Sequence, residues 1–258
     1  MITKKKIPNS EQLTTEEPDI VLTEKPLPDR KRKISAPVVD YRKLRLRNLN
    51  SNEYSHLKLL IFWPIFGLLF AFLERFYVVE TYHPMHSYID DLIPFQEIFV
   101  IPYMFWFVLL VGMHLYTLLY DTKSFRKMMY FIIFTHSITI LIYFIFPTCQ
   151  ELRPTEFERD NILTRFMQSF YSLDTNTNVF PSIHVIGSLA VMFTAWHCKR
   201  LKNPIWKIAF TIIAILICLS TVFLKQHSVL DGFAAIIISI VAYIFCFFGQ
   251  REEQDEKI

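Results

Sequence analysis

Residues 98–120 (IFVIPYMFWFVLLVGMHLYTLLY) contain no Asp, Glu, Lys or Arg, and neither do residues 128–147 (MMYFIIFTHSITILIYFIFP). A helix needs roughly 20 residues to cross a hydrocarbon core of about 30 Å. In lipid, a backbone N–H or C=O left unpaired is costly, so each such run is expected to be helical. Four further apolar blocks lie at about 59–79, 183–198, 205–224 and 229–248, and all but the second carry one or two charged residues. The expected fold is all-α, a six-helix transmembrane bundle running up and down. The competing reading is a soluble helical protein with greasy helices, and the two charge-free runs argue against it. Hydrophobic residues make up 52%, with 25 Phe and only 5 Gly, which excludes a fibrous repeat or a disordered chain. The 4 Cys are too few for a disulfide scaffold and show no metal-ligand spacing.

Residues 1–55 differ sharply from the rest. They are polar and charged, with Pro at 8, 18, 26, 28 and 37 and basic runs at Lys4-Lys5-Lys6 and Arg30-Lys31-Arg32-Lys33. Such a segment buries too little apolar surface to order itself, so a disordered basic tail is expected. Anionic headgroups would attract its basic runs, but a topology-setting polar tail without a partner explains them better. Residues 56–250 are then the six-span membrane domain, and 251–258 a short C-terminal tail. No cleavable signal peptide, internal repeat, nucleotide-binding loop or nucleic-acid motif is present.

All but five Lys and Arg (Arg75, Arg153, Arg159, Arg165 and Lys225) fall in the N-terminal segment up to Lys58, in the C-terminal tail, or in the loops after the second and fourth spans with their flank to Lys207. The positive-inside rule then puts both termini in the cytoplasm, with a bacterial-type plasma membrane as the expected location. Segments 80–97, 148–182 and 225–228 face outward. Segment 80–97, with His83, His86, Asp90, Asp91 and Glu97, reads as an interfacial loop or as a polar pocket for an alcohol acceptor.

Ionisable groups at the ends of membrane spans are costly and therefore candidates for function. Three clusters lie on the expected outer side. Arg153, in Gln150-Glu151-Leu152-Arg153-Pro154, carries a fixed fork of donors suited to phosphate oxygens. Ser182, in Phe180-Pro181-Ser182-Ile183-His184, is a good N-cap at a helix terminus that favours anions. His184 in that first turn suits general acid work. His227 and Asp231 lie four apart and share one helix face. A carboxylate at that spacing holds one ring nitrogen and leaves the other as nucleophile or base. Each cluster alone also reads as a cap or a satisfied structural pair. His114 and His136, within the second and third spans, read as packing residues.

The combination is more specific than its parts. Arg153-Pro154, then Pro181-Ser182-x-His184, then Ser220-x6-His227-x3-Asp231 resembles the type 2 phosphatidic acid phosphatase superfamily, over about residues 57–250. That superfamily includes lipid-phosphate phosphatases, inositol-phosphoceramide and sphingomyelin synthase-like phosphotransferases, and haloperoxidases on a related bundle. The usual Lys seven residues before the Arg is Phe146 here, the usual Arg after Ser220 is Thr221, and the usual Gly beside His184 is Ile183. These departures resemble the phosphotransferase-like branch.

The resemblance implies a membrane lipid phosphatase or phosphotransferase. His227 would be the nucleophile, Asp231 its orienting carboxylate and His184 the general acid. Arg153, Ser182 and Lys225 would bind phosphate. It implies no cofactor and no metal, and the chain shows no Asp/Glu cluster of the kind that holds Mg²⁺ beside phosphates. The implied partners are a phospholipid or a polyprenyl or sphingoid phosphate as substrate, together with membrane lipids, and no nucleic acid. A catalytically inactive lipid-binding or scaffold protein is the alternative. A transporter fits less well, because the charged residues do not continue through the bundle.

Overall fold

The computed structural model describes residues 37–77 and 79–248. The basic runs expected in a disordered tail and the tail at 251–258 lie outside them. Eight α-helices account for most of the fold. They are α1 (Phe62–Arg75, entered through a 3₁₀ segment at Ser55–Ile61), α2 (Tyr88–Leu92), α3 (Val100–Tyr120), α4 (Thr122–Ile145), α5 (Ile162–Leu173), α6 (Ile183–His197), α7 (Pro204–Phe223) and α8 (Val229–Tyr243, continued by a π turn). A two-residue parallel pairing joins β1 (His83–Pro84) to β2 (Thr148–Cys149).

Among the described residues, five helical segments are long and apolar enough to span a bilayer: Ser55–Arg75, Glu97–Tyr120, Thr122–Ile145, Pro204–Phe223 and Val229–Phe248. Their outer faces carry exposed apolar side chains, such as Leu68, Val108, Ile205 and Phe233, each more than 60% exposed. A soluble monomer rarely presents so large an apolar surface, whereas lipid accepts it. The protein is a multi-pass integral membrane protein.

The sixth expected span, α6, is only 15 residues long. At 1.5 Å per residue it covers about 22 Å, less than a full hydrocarbon core. Its place in the bundle accounts for this. Eleven of its residues are buried, and it packs against α3, α4, α7 and α8. A helix surrounded by protein need not match the thickness of the bilayer. Small buried residues on it and its neighbours (Ser188, Ala190, Ala195, Ala214, Ala235, Ser239) let backbones approach closely.

Gly187 shows how close that approach is. A Cβ there would lie 2.8 Å from the indole of Trp106 on α3, and that ring is itself packed on Phe107 and His184. Overpacking of this kind typically costs about 1–3 kcal/mol. Gly187→Val is therefore expected to lower the thermal unfolding temperature in detergent, as read by tryptophan fluorescence. An unchanged midpoint would contradict the packing.

Residues 37–55, assigned by composition to the tail, are packed in part. They form 3₁₀ turns at Tyr41–Lys43 and Leu46–Asn48 and bury Val39 and Tyr54. The Tyr41 hydroxyl donates to Leu118 O at 2.7 Å and lies 2.8 Å from His56 Nε2. Tyr54 donates to Asp40 O, and Val38 N donates to Leu119 O. A few aromatic anchors thus fix a stretch whose average composition is polar. His114 and His136 are packing residues in a cluster with Trp63 and Phe66, and Trp63 Nε1 donates to His114 Nε2 at 3.2 Å.

The opposite end of the bundle gathers the ends of α1, α4 and α7 with the starts of α3, α6 and α8. Gln96 N donates to Phe223 O, Ser182 N donates to Asp231 O at 3.1 Å, and the Tyr143 hydroxyl donates to Pro181 O. Every candidate from the three sequence clusters lies at this end.

Candidate active site

The start of α8 sets the site. Ser228 is its N-cap, and its hydroxyl accepts from Leu230 N. Asp231, at the third helical position, accepts from Ser228 N at 3.0 Å, which completes a capping box. The same Oδ2 lies 3.2 Å from His227 Nδ1. A carboxylate only accepts, so Nδ1 carries the proton and Nε2 keeps a free lone pair. Asp231 is 0% exposed. His227 itself is held by its backbone, because Gln226 N and His227 N both donate to Thr221 O. The turn before it places Lys225 at φ 53°, a left-handed conformation that non-glycine residues seldom adopt.

His184 enters from α6. Its ring lies between Tyr103 and Trp106 of α3, with both centroids at 4.4 Å. Its centroid is 6.0 Å from that of His227. His184 is 8% exposed, and neither ring nitrogen has a partner. The bond from Ser182 N to Asp231 O ties the start of α6 to the start of α8. Two histidines more than forty residues apart in sequence therefore meet in one place.

A cavity opens over both rings. Glu74, Asp174, Asn178, Gln226 and the two histidines contribute to its wall. Ser182 is fully buried as the N-cap of α6, where its hydroxyl accepts from Val185 N, and it does not reach the cavity.

Arg153 stands behind the wall. It donates to the carbonyls of Tyr171, Asp174 and Thr175, to Asp174 Oδ2 at 3.4 Å, and to Gln226 Oε1 at 2.7 Å. Its guanidinium also covers the Tyr171 ring at 4.7 Å, and its Nε has no partner. Burial pulls the Arg153 pKa down, opposed by Asp174. Burial likewise raises that of Asp174, opposed by Arg153. Lys225 turns away from the cavity, and its Nζ donates to Asp90 O at 2.6 Å. Burial lowers its pKa while Asp90 and Asp91 oppose the shift. Phe146, where the resemblance expects Lys, stacks on His83 with centroids 4.3 Å apart.

Segment 80–97 holds the site from outside. The carboxylate of Asp90, 1% exposed, accepts from the Ser228 hydroxyl at 2.6 Å, from Val229 N at 2.9 Å and from Ser87 N at 2.8 Å. It caps α8 from a distant part of the chain and places negative charge at the positive end of the helix. His86 pairs with Asp91 on the surface, and that hydrogen bond raises its pKa. Glu97 faces Arg159 and Asn161. Of the polar residues that suggested an acceptor pocket, His86, Asp90, Asp91 and Glu97 are thus spent on caps and ion pairs, and His83 stacks on Phe146. Asp90→Ala strands three donors, and charge-assisted hydrogen bonds contribute about 1.5–3 kcal/mol each. A clear drop in thermal stability in detergent is expected, and a midpoint within error of the parent would contradict the capping role.

Sequence reasoning missed Glu74, Asp174 and Gln226, and it placed Asp90 in an acceptor pocket and not at the cap of α8. For Glu74 a signal existed: a carboxylate within the first apolar block, where an unpaired charge is expensive. Among the described residues, no three or more His, Cys, Asp and Glu converge as a metal site.

Residues 127–254 match the model of the PAP2 superfamily. The matched stretch contains Arg153, Ser182, His184, Lys225, His227 and Asp231, and it leaves out α1 to α3 with Glu74 and Asp90. No curated protein and no solved structure matches the chain.

Proposed function

We propose that this protein is a lipid-phosphate phosphatase or phosphotransferase working through a phosphohistidine at the exoplasmic membrane surface. The observation that carries the reading is the approach of His184 to within 6.0 Å of a His227 whose Nδ1 lies 3.2 Å from buried Asp231. His227 Nε2 attacks phosphorus and forms a P–N bond while the P–O bond to the leaving alcohol breaks. His184 gives its proton to that oxygen. In the second half, His184 takes a proton from water or from an acceptor alcohol. The resulting oxygen attacks phosphorus, and the P–N bond breaks to restore His227. Asp231 stabilises the positive charge that develops on the ring.

Of the proposed phosphate-site residues Arg153, Ser182 and Lys225, Arg153 supplies positive potential from behind Gln226, and the other two support the site without lining its cavity. Ser182 acts by fixing the start of α6, and Lys225 by tying Asp90 to the turn before His227. The distribution of Lys and Arg supports cytoplasmic termini, and the plasma membrane is the proposed location. Resemblance to the inositol-phosphoceramide synthase-like branch supports a transferase.

One observation favours a second reading, an inactive lipid-binding or scaffold protein. Arg153 Nη1 and Nη2 and Lys225 Nζ donate to protein oxygens, and neither residue lines the cavity. A lipid panel scored for free phosphate and for transferred headgroup separates the readings. Turnover that is inhibited by vanadate supports an enzyme. Lipid binding without turnover supports the scaffold.

A further inference from the structure

A second groove lies between α3 and α7, at the end of the bundle away from the two histidines, and the proposed chemistry leaves it unused. Its volume is about 450 Å³. Val108, Gly112 and Tyr116 line it from the second half of α3, and Trp206 and Phe210 from the first half of α7. Arg200 lines it from the 3₁₀ turn at Lys199–Leu201 that joins the two helices α6 and α7. No part of the protein fills the space at Gly112. A Cβ there would meet no atom within 4 Å, whereas one at Gly187 meets Trp106. Glycine weakens a helix interior relative to alanine, so neither helix propensity nor packing within the chain calls for the one at 112. The groove opens toward the lipid side of the bundle, where Val108 is 64% exposed and Trp206 49%.

The rim of the groove is cationic and aromatic. The Arg200 guanidinium lies over the ring of Tyr120, the last residue of α3, at 5.3 Å. Lys199, Lys202 and Lys207 stand near it in sequence and are exposed, and no Asp or Glu occurs between Asp174 and Asp231. Asp121, the acid next to Tyr120, caps α4 through Ser124. Because α7 begins at Pro204, the positive end of its dipole adds to the same potential. Trp206, Tyr116 and Tyr120 are of the residue types that settle at headgroup level. An apolar cleft with a cation at its mouth suits an amphiphile with a hydrocarbon chain and an anionic head. A zwitterionic head brings its own cation to this rim and gains less.

We propose that the groove between α3 and α7 binds an anionic phospholipid of the leaflet at that end. One acyl chain lies over Gly112 between Val108 and Phe210, and the phosphate sits at Arg200. This lipid is not the one that reacts. Tyr103, which stacks on His184, lies thirteen residues before Tyr116 on α3, about 20 Å along the helix.

The test uses the full chain in phosphatidylcholine vesicles that contain a second lipid brominated on its acyl chains, either phosphatidylglycerol or phosphatidylcholine. Bromine quenches nearby indoles. Trp206 is the exposed one of the four tryptophans, and the difference between the parent and Trp206→Phe isolates its emission. Brominated phosphatidylglycerol is expected to quench Trp206 at an about fivefold or more lower mole fraction than brominated phosphatidylcholine, the scale of one basic side chain attracting an anionic lipid. Arg200→Gln should bring the two lipids together. Gly112→Leu, which puts a side chain into the groove, should do the same. Equal quenching by the two lipids in the parent overturns the proposal. So does a preference kept by Arg200→Gln, or one kept by Gly112→Leu, which would mean attraction to the basic surface in general. Trp206 emission untouched by either lipid would mean that a second copy of the chain covers the groove, and overturns the proposal equally. If one variant does not fold, the other and the parent still decide.

Discussion

Replacing His227 with alanine is expected to lower turnover of any lipid substrate by on the order of 10⁴-fold or more, the scale seen when a nucleophile is removed from a preorganised site. The expectation follows from the geometry around the ring. The residue's backbone N–H is held by Thr221 O, and its Nδ1 lies 3.2 Å from Asp231. Of its two nitrogens, only Nε2 is free to attack. The alanine variant keeps the backbone hydrogen bonds and the capping box at Ser228, so folding and lipid binding should survive. A steady-state assay in mixed micelles, with thermal unfolding as control, reads both quantities. His184→Ala should fall in the same direction for a different reason, through loss of the proton donor. The two substitutions together should cost little more than the larger one alone, because neither residue works without the other.

The second large effect belongs to Asp231. Its Oδ2 serves both His227 Nδ1 and Ser228 N, while its Oδ1 is buried without a partner. Asparagine can place its carbonyl oxygen where Oδ2 lies and keep both hydrogen bonds. Its amide then occupies the place that has no partner. Asp231→Asn thus removes charge while retaining the shape of the cap. The rate is expected to fall by about 10²–10³-fold, the scale of losing one electrostatic stabiliser of the transition state. Asp231→Ala also removes the cap and leaves two donors stranded, so it should be slower still and less stable. Single-turnover rates for the two variants, set beside their melting temperatures, give the ordering. An asparagine variant as active as the parent would show that the charge on Asp231 plays no part.

The parts of this site that were legible in the sequence are those whose partners lie nearby. His227 and Asp231 are four residues apart, and Ser182 and His184 share one helix start, so period and capping rules reach them. The apolar runs made the long helices equally plain. The length of α6 was less plain, because hydropathy does not tell a helix surrounded by protein from one that faces lipid. The packed turns at 37–55 were hidden for a related reason. Val39 and Tyr54 anchor a stretch whose average composition is that of a tail.

Long-range contacts were out of reach. Asp90 meets Ser228 across 138 residues, and Glu74 meets Asn178 across 104. No spacing rule connects such pairs. Each carboxylate was visible only as a charge where a charge is costly. Composition groups Asp90 with a polar pocket, yet it caps α8. Arg153 was expected to grip phosphate because of its fork of donors, and the fold spends that fork on the carbonyls around Asp174.

The central claim is a covalent bond between phosphorus and His227 Nε2. Brief incubation with a lipid labelled on phosphorus, quenched in base, followed by peptide mapping, tests it directly. The expected result is an acid-labile, base-stable label on the peptide containing His227, absent from His227→Ala. Turnover of the same lipid with no label on that peptide, or with label retained in His227→Ala, would contradict the account.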